Sequence, residues 1–246
     1  RITGMLDAAD TRSTAAVLRA LGVDAPEGAL DQAVIPGRGL HGLRAPARPL
    51  DCGNSGTTAR LMLGALAGCP FPAVVTGDAS LQRRPMARVT EPLRDCGATF
   101  EALEAPGRLP IRVTGSRELR PVDLLNTRSS AQVKTAMLLA GLTGGVRVRV
   151  TERGRPRDHT ERMLAAAGAP IRVSATEAGD VIEMDPPERL APLRLRVPGD
   201  ISSAAFFLAL GALHGPVRVR DVGLNPTRTG ALDVLRRMGA EVEVEA

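Results

Sequence analysis

The sequence predicts an α/β fold with sheets outside and helices in the core, an inside-out prism built from repeated βαβαββ-type units. Three observations carry this. Four amphipathic helical segments end alike, at Leu18–Gly22, Leu93–Gly97, Leu164–Gly168 and Leu235–Gly239. Each glycine is followed by a small apolar residue and an apparent strand, and the pattern returns every ~71–75 residues, as an internal repeat does. Between them lie helices of a second type, over 54–67, 129–142 and 200–213, apolar on all sides behind a small polar head. Helices hydrophobic all round belong in an interior. By contrast, Val146-Arg147-Val148-Arg149-Val150 and Glu241-Val242-Glu243-Val244-Glu245 alternate and need one wet face.

The elements follow in order. Asp7 and Asp10 precede the first amphipathic helix, and N-capping accounts for at least one of them. The stretch Asp51-Cys52-Gly53-Asn54-Ser55-Gly56-Thr57-Thr58-Ala59-Arg60 then sets a glycine-loosened polar turn at the head of the first apolar helix. Asn54, Ser55, Thr57 and Thr58 are all competent N-caps. Unpaired N–H groups and the positive dipole end favour a phosphate or carboxylate there. Arg60 is the only charge from Ala59 to Ala67. A cation in a first turn opposes the dipole, so a buried Arg60 needs a counter-anion, either a side chain or a ligand.

A strand over 73–75 leads into Thr76-Gly77-Asp78-Ala79-Ser80-Leu81-Gln82-Arg83-Arg84-Pro85-Met86. Its adjacent arginines either grip an anion with their forks or are simply solvated. Ser129-Ser130-Ala131-Gln132 heads the second apolar helix; capping accounts for the serines, while Gln132 either completes the cap begun by Ser129 or faces a polyhydroxy ligand. In Arg155-Pro156-Arg157-Asp158-His159-Thr160-Glu161, Asp158 reads as N-cap and Glu161 as its capping-box partner. His159 then has a structural or exposed role, and Arg157 is the residue placed to reach a ligand. A strand over 193–197 feeds a crossover at Pro198-Gly199-Asp200. The expected domains are a prism over 1–197, its first repeat incomplete, and the first unit of a second prism over 198–246. Residue 1 is Arg and the repeat starts and stops mid-pattern, as expected of a piece of a longer protein.

Composition narrows the function classes. The chain has 246 residues, 43% of them apolar, enough for a core and against disorder. No uncharged apolar run reaches ~18 residues and no signal-peptide pattern opens the chain, so neither membrane insertion nor secretion is expected. Cys52, Cys69 and Cys96 form no C-x-x-C pair, and with only three histidines a zinc site or disulfide framework is not expected; a reducing cytoplasm fits. Lys134 is the only lysine among 32 basic residues. The net charge of +5 raises nucleic-acid binding, yet Trp and Tyr are absent and stacking platforms are nearly unavailable. Arg112, Arg147, Arg149, Arg172, Arg194, Arg196, Arg218 and Arg220 instead alternate in apparent strands, as a solvated sheet face does. No Ser/His/Asp triad, Walker loop or dinucleotide fingerprint occurs.

Together, Leu50 to Arg60, Gly77 to Leu81 with Arg84-Pro85-Met86, Ser130 to Lys134, Arg157 to Glu161 and Gly199 to Ala205 resemble the 5-enolpyruvylshikimate-3-phosphate synthase family of enolpyruvyl transferases, in residues, order and spacing. The resemblance implies two prism domains closing on substrates at a hinge. It implies transfer of the enolpyruvyl group of phosphoenolpyruvate to the 5-hydroxyl of shikimate 3-phosphate, with no metal or organic cofactor, no nucleic acid or membrane partner, and a monomer. By motif, Gly56, Arg84 and Gln132 would contact phosphoenolpyruvate; Ser130, Ala131, Gln132 and Arg157 would hold shikimate 3-phosphate; Asn54 and Arg60 would support the turn. The family's Lys-Ser-Arg signature and its catalytic Asp and Glu fall outside this chain, so no catalytic residue is assigned and no turnover is expected of the isolated segment. The transferase acting on UDP-N-acetylglucosamine places a reactive Cys near 78–84, where this chain has none. A non-catalytic anion-binding domain on the same scaffold is the reading from another class.

Overall fold

A computed structural model describes residues 1–28, 32–154 and 156–245. Two compact units are present, 1–195 and 196–246. Unit 1 opens with strand β1 (Ile2–Thr3), helix α1 (Ala9–Ala20) and strand β2 (Gln32–Ala33). One full repeat follows as β3 (Leu50–Asp51), α2 (Gly56–Ala67), β4 (Pro72–Thr76), the short α3 (Ala79–Gln82), α4 (Ala87–Asp95), β5 (Thr99–Ala102) and β6 (Ile111–Thr114). A second runs β7 (Val122–Asn126), α5 (Ala131–Gly144), β8 (Val148–Glu152), α6 (His159–Ala166), β9 (Ile171–Thr176) and β10 (Gly179–Met184). Strand β11 (Leu195–Arg196), α7 (Ile201–His214) and α8 (Gly230–Arg237) complete the chain.

The two full repeats share one topology. Their sheets are ordered β3-β4-β6-β5 and β7-β8-β10-β9. In each, the first pair is parallel (Leu50 against Val75, Val122 against Val148) and the rest antiparallel. The parallel pairs are joined through α2 and α5, the helices without a polar face, and these lie in the interior: Ala59, Leu63, Leu66, Ala136, Met137 and Leu138 are buried with Val75, Val113, Val148 and Val150 from the sheets. Arg112 and Arg149 alternate outward from these strands, as a solvated face requires, while on β9 Arg172 is exposed together with the rest of 172–176. A third sheet, β11-β1-β2, ties the end of unit 1 to its start, the Leu195 amide donating to the Arg1 carbonyl at 2.8 Å.

The glycine-terminated helices are α1, α4, α6 and α8, and all four close identically. Gly22, Gly97, Gly168 and Gly239 adopt φ of 84°, 110°, 80° and 93°, a region that favours glycine. Behind each, the next residue's N–H reaches back to the leucine carbonyl, as in Val23 to Leu18 and Ala98 to Leu93.

Glycine also sets the spacing of the interior helices. A Cβ on Gly64 would stand 2.3 Å from the Ala136 carbonyl oxygen, and one on Gly68 2.5 Å from the Thr143 carbonyl carbon. Contact thus moves toward the C-terminus of both helices together, so α2 and α5 run parallel with their N-termini at the same end.

Several local expectations are corrected. The α1 cap position is Ala8, whose N–H donates to Thr11 Oγ1; Asp7 pairs with Arg12 instead, and Asp10 lies in the first turn. Asp158 is at the N-cap position of α6 but makes no side-chain cap bond, and Glu161 is buried against Lys134 rather than closing a capping box. The first residue of that motif, Arg155, lies outside the described residues. The strand expected at 146–150 forms at Val148–Glu152, and that at 193–197 shortens to Leu195–Arg196. No strand forms at 217–220 or 241–245.

Unit 2 differs most. Its small core joins Ile201, Ala204 and Leu232, and a bridge pairs Gly199 with Val222. The expected interior helix α7 is largely uncovered, with Phe206 80% and Leu213 79% exposed.

Candidate anion site at the paired helix heads

The head of α2 is built by local bonds. Asp51 accepts from the Gly53 amide at 2.8 Å, which fixes a left-handed Gly53 (φ 55°). Of the four competent caps, Ser55 is the one used, its Oγ accepting from the Thr58 amide at 3.2 Å. The Asp78 amide donates to the Gly53 carbonyl at 2.9 Å, docking the 76–86 loop on this turn. Asp78 caps α3 by accepting from Leu81 N–H at 2.7 Å and also accepts from Asn54 Nδ2 at 2.7 Å. Asn54 in turn accepts from Arg84 Nη2 at 2.8 Å. Asn54 thus links the Asp78 carboxylate to the Arg84 guanidinium.

Gly56 lies where two guanidiniums meet. A Cβ there would stand 2.9 Å from Arg60 Nη1 and 3.1 Å from Arg84 Nη1. Arg60 donates to Gln132 Oε1 at 2.9 Å, the Pro85 carbonyl at 3.2 Å and the Gly56 carbonyl at 3.4 Å. Burial, then the like charges of Arg88 and Arg84, lowers the Arg60 guanidinium from its usual value. Among the described residues Arg60, Arg84 and Arg88 form no ion pair. Among the described residues, then, half-buried Arg60 is met by neutral acceptors, Gln132 Oε1 and the Pro85 and Gly56 carbonyls, and not by a carboxylate.

Gln132 joins the two heads. Its Nε2 donates to Thr57 Oγ1 on α2 at 2.7 Å while its Oε1 accepts from Arg60. At the start of α5, Ser129 is left-handed (φ 46°) and Ser130 holds the N-cap conformation without a side-chain cap bond. The capping expected of the serines is therefore absent at Ser130, and Gln132 is not a capping residue. Asn126 replaces the cap, accepting from Ser130 N–H at 3.2 Å and donating to its carbonyl at 3.1 Å. Gly154 lies close to this turn, a Cβ there standing 3.1 Å from Ser129 Oγ. Ala131 is half-buried in the first turn; Arg157 is exposed and forms no ion pair with a described residue, and His159 is exposed at the first position of α6.

Gly56, Arg84, Gln132, Asn54 and Arg60 are thus brought into one constellation, with Ser130 and Ala131 beside it on α5. Arg157 lies before α6 and forms no hydrogen bond or ion pair with them. The sequence reading missed Arg88, Asn126 and Glu152. Arg88 opens on a cavity of about 690 Å³ whose wall includes Pro85, Asn126 and Arg128. Glu152 could have been found, since it follows Val148 and Val150 at alternate positions on the buried face of β8. Among the described residues no group of three His, Cys, Asp or Glu could hold a metal ion, and no helix is long and apolar enough to cross a membrane.

A family model described as EPSP synthase (3-phosphoshikimate 1-carboxyvinyltransferase) matches residues 1–246. The 3-phosphoshikimate 1-carboxyvinyltransferase of Methylococcus capsulatus is 48% identical over 248 residues, covering 100% of this chain and 55% of the relative. That of Halorhodospira halophila is 50% identical, covering 99% and 54%. A solved EPSP synthase from Acinetobacter baumannii superposes with a TM-score of 0.88 at 41% identity, over 100% of this chain and 55% of the other. The chain thus spans about half the length of the relatives it matches, and from end to end it belongs to the EPSP synthase family.

Proposed function

We propose that this chain supplies the substrate-gripping half of an enolpyruvyl transferase acting on phosphoenolpyruvate and shikimate 3-phosphate. The observation that carries the reading is the cluster of Arg60, Arg84 and Arg88, without a carboxylate partner among the described residues, around the heads of two parallel helices. Two dipole ends and three guanidiniums favour a multiply charged anion, and both substrates are such anions. Gly56, Arg84 and Gln132 take phosphoenolpyruvate: the missing Cβ leaves clearance and the Arg84 fork grips charge. Ser130, Ala131 through its backbone, Gln132 and Arg157 take shikimate 3-phosphate, while Asn54 and Arg60 hold the grip in place. Electrostatic positioning is the contribution of these residues to transfer. The proton-transferring carboxylates belong to the remainder of the enzyme, so the 246-residue chain binds without turnover. Unit 2 opens the second prism, whose growth would cover α7. The three cysteines are free and buried, in keeping with a cytoplasmic enzyme.

Calorimetry of shikimate 3-phosphate with the chain and with Arg157→Ala tests this. Loss of a charge-assisted contact of about 1.5–3 kcal/mol should weaken binding roughly 10- to 150-fold. Equal binding by both would remove Arg157 from the site.

A further inference from the structure

The buried charges of unit 1 lie together beneath the head of α5, and none of them is used in the contacts assigned above. Lys134 is 1% exposed. Its Nζ stands 2.9 Å from Glu152 Oε2 and 2.5 Å from Glu161 Oε1. The other oxygen of Glu152 accepts from Asn126 Nδ2 at 2.7 Å. Asn126 then engages both backbone groups of Ser130. An unbroken chain of bonds runs from the ammonium to the turn that presents Ser130, Ala131 and Gln132. On its other side, the Glu161 bond fixes the first turn of α6, two residues beyond His159 and four beyond Arg157, and Thr135 and Thr160 hydroxyls close the same seam at 2.6 Å.

Stability does not account for this arrangement. Removing three ionised groups from water costs more than their attraction returns unless every polar atom is bonded. Here Glu161 Oε2 is buried with no hydrogen-bond partner among the described residues, and burial pushes the Glu152 carboxyl above its usual value, against the opposing pull of Lys134 and Asn126. Apolar side chains of similar volume would fill this space at no greater cost. What apolar side chains could not do is hold Asn126 against Ser130, and Ser129 adopts a left-handed backbone that residues other than glycine rarely take unless the surroundings impose it.

We infer that Lys134 is a positioning residue for the shikimate 3-phosphate subsite: through Glu152 and Asn126 it sets the Ser130 turn, and through Glu161 it sets the segment bearing Arg157. The inference rests on the function proposed above and adds to it the element that holds the two halves of the subsite in register.

Lys134→Met alone leaves two buried carboxylates uncompensated and risks unfolding. The working variant is therefore Lys134→Met with Glu152→Gln and Glu161→Gln, which removes the charges together and keeps an acceptor for Asn126. Two readouts are taken on the 246-residue chain: calorimetric Kd for shikimate 3-phosphate, and amide hydrogen exchange, with residues 62–66 of α2 as the internal control. With exchange at 62–66 unchanged, exchange at 129–132 should speed at least tenfold and Kd should rise at least tenfold. A folded variant with wild-type Kd overturns the inference, because the network would then be structural only. If the wild type itself fails to bind, the function proposed above falls and exchange decides the positioning role: faster exchange confined to 129–132 upholds it, and unchanged exchange overturns it.

Discussion

Substituting Gly64 by Ala puts the helix crossing to a quantitative test. Its Cβ would lie 2.3 Å from the Ala136 carbonyl oxygen and 2.6 Å from Ala136 Cα. Ordinary contact begins near 3.4 Å, so α2 and α5 must part by about an ångström, and neither backbone can swing aside as a side chain would. Overpacking of a dense core costs about 1–3 kcal/mol and more where backbone must move. Replacing glycine inside a helix returns about 1 kcal/mol. With backbone on both sides the upper part of the range applies, leaving a net loss of roughly 2 kcal/mol, which for a chain of this size lowers the melting temperature by about 4–8 °C. Thermal unfolding followed by circular dichroism measures it. The control is the same change in the same helix, Gly56→Ala, whose Cβ would meet side chains and not backbone, Arg60 Nη1 at 2.9 Å, Arg84 Nη1 at 3.1 Å and Leu81 Cδ1 at 3.7 Å, and whose melting temperature should stay within about 3 °C of wild type. A Gly64→Ala protein as stable as wild type would refute the claim that glycine sets the helix spacing.

Other outcomes follow from the same geometry. Gly56→Ala should weaken phosphoenolpyruvate binding roughly 10-fold or more by displacing a guanidinium, read by calorimetry against its unchanged melting point. The Asn54 side chain and then the Leu81 amide hold the Asp78 carboxyl below its ordinary 3.8. Its stabilising effect is therefore full above that value and lost as pH falls through the depressed one, so Asp78→Ala should be less stable than wild type at neutral pH and the gap should close in acid. Burial pushes the Cys52 thiol up to about 12 and the Cys69 thiol up to about 11. A disulfide reagent at pH 8 should leave both untouched in the native chain and titrate all three thiols after denaturation; rapid native labelling of Cys52 would contradict its burial.

What the sequence discloses depends on how local the cause is. Gly22, Gly97, Gly168 and Gly239 were legible because a left-handed exit is decided within one turn of helix. The interior placement of α2 and α5 was legible because they have no polar face to give to water. The same reasoning misplaced α7, since an all-apolar helix states what it needs and not whether the rest of the chain provides it. The alternation of Glu241 to Glu245 fits a strand but supplies no partner, and no strand forms. At the site, Gly56, Arg84 and Gln132 were marked by turn chemistry and by resemblance. Arg88 was not, because its nearness to Arg60 is a tertiary fact. Glu161 shows two uses competing for one residue: its spacing from Asp158 suits a capping box, yet the buried ammonium of Lys134 has the stronger claim.

That ammonium gives the chain an unusual chemical silence. With one lysine in 246 residues, and that one sealed in the core, an amine-reactive reagent finds no lysine of these residues to modify while the fold is closed. Acylation of Lys134 can proceed only during openings that expose the α5 interior, so its rate clocks the core's breathing at a single known atom, without an engineered label.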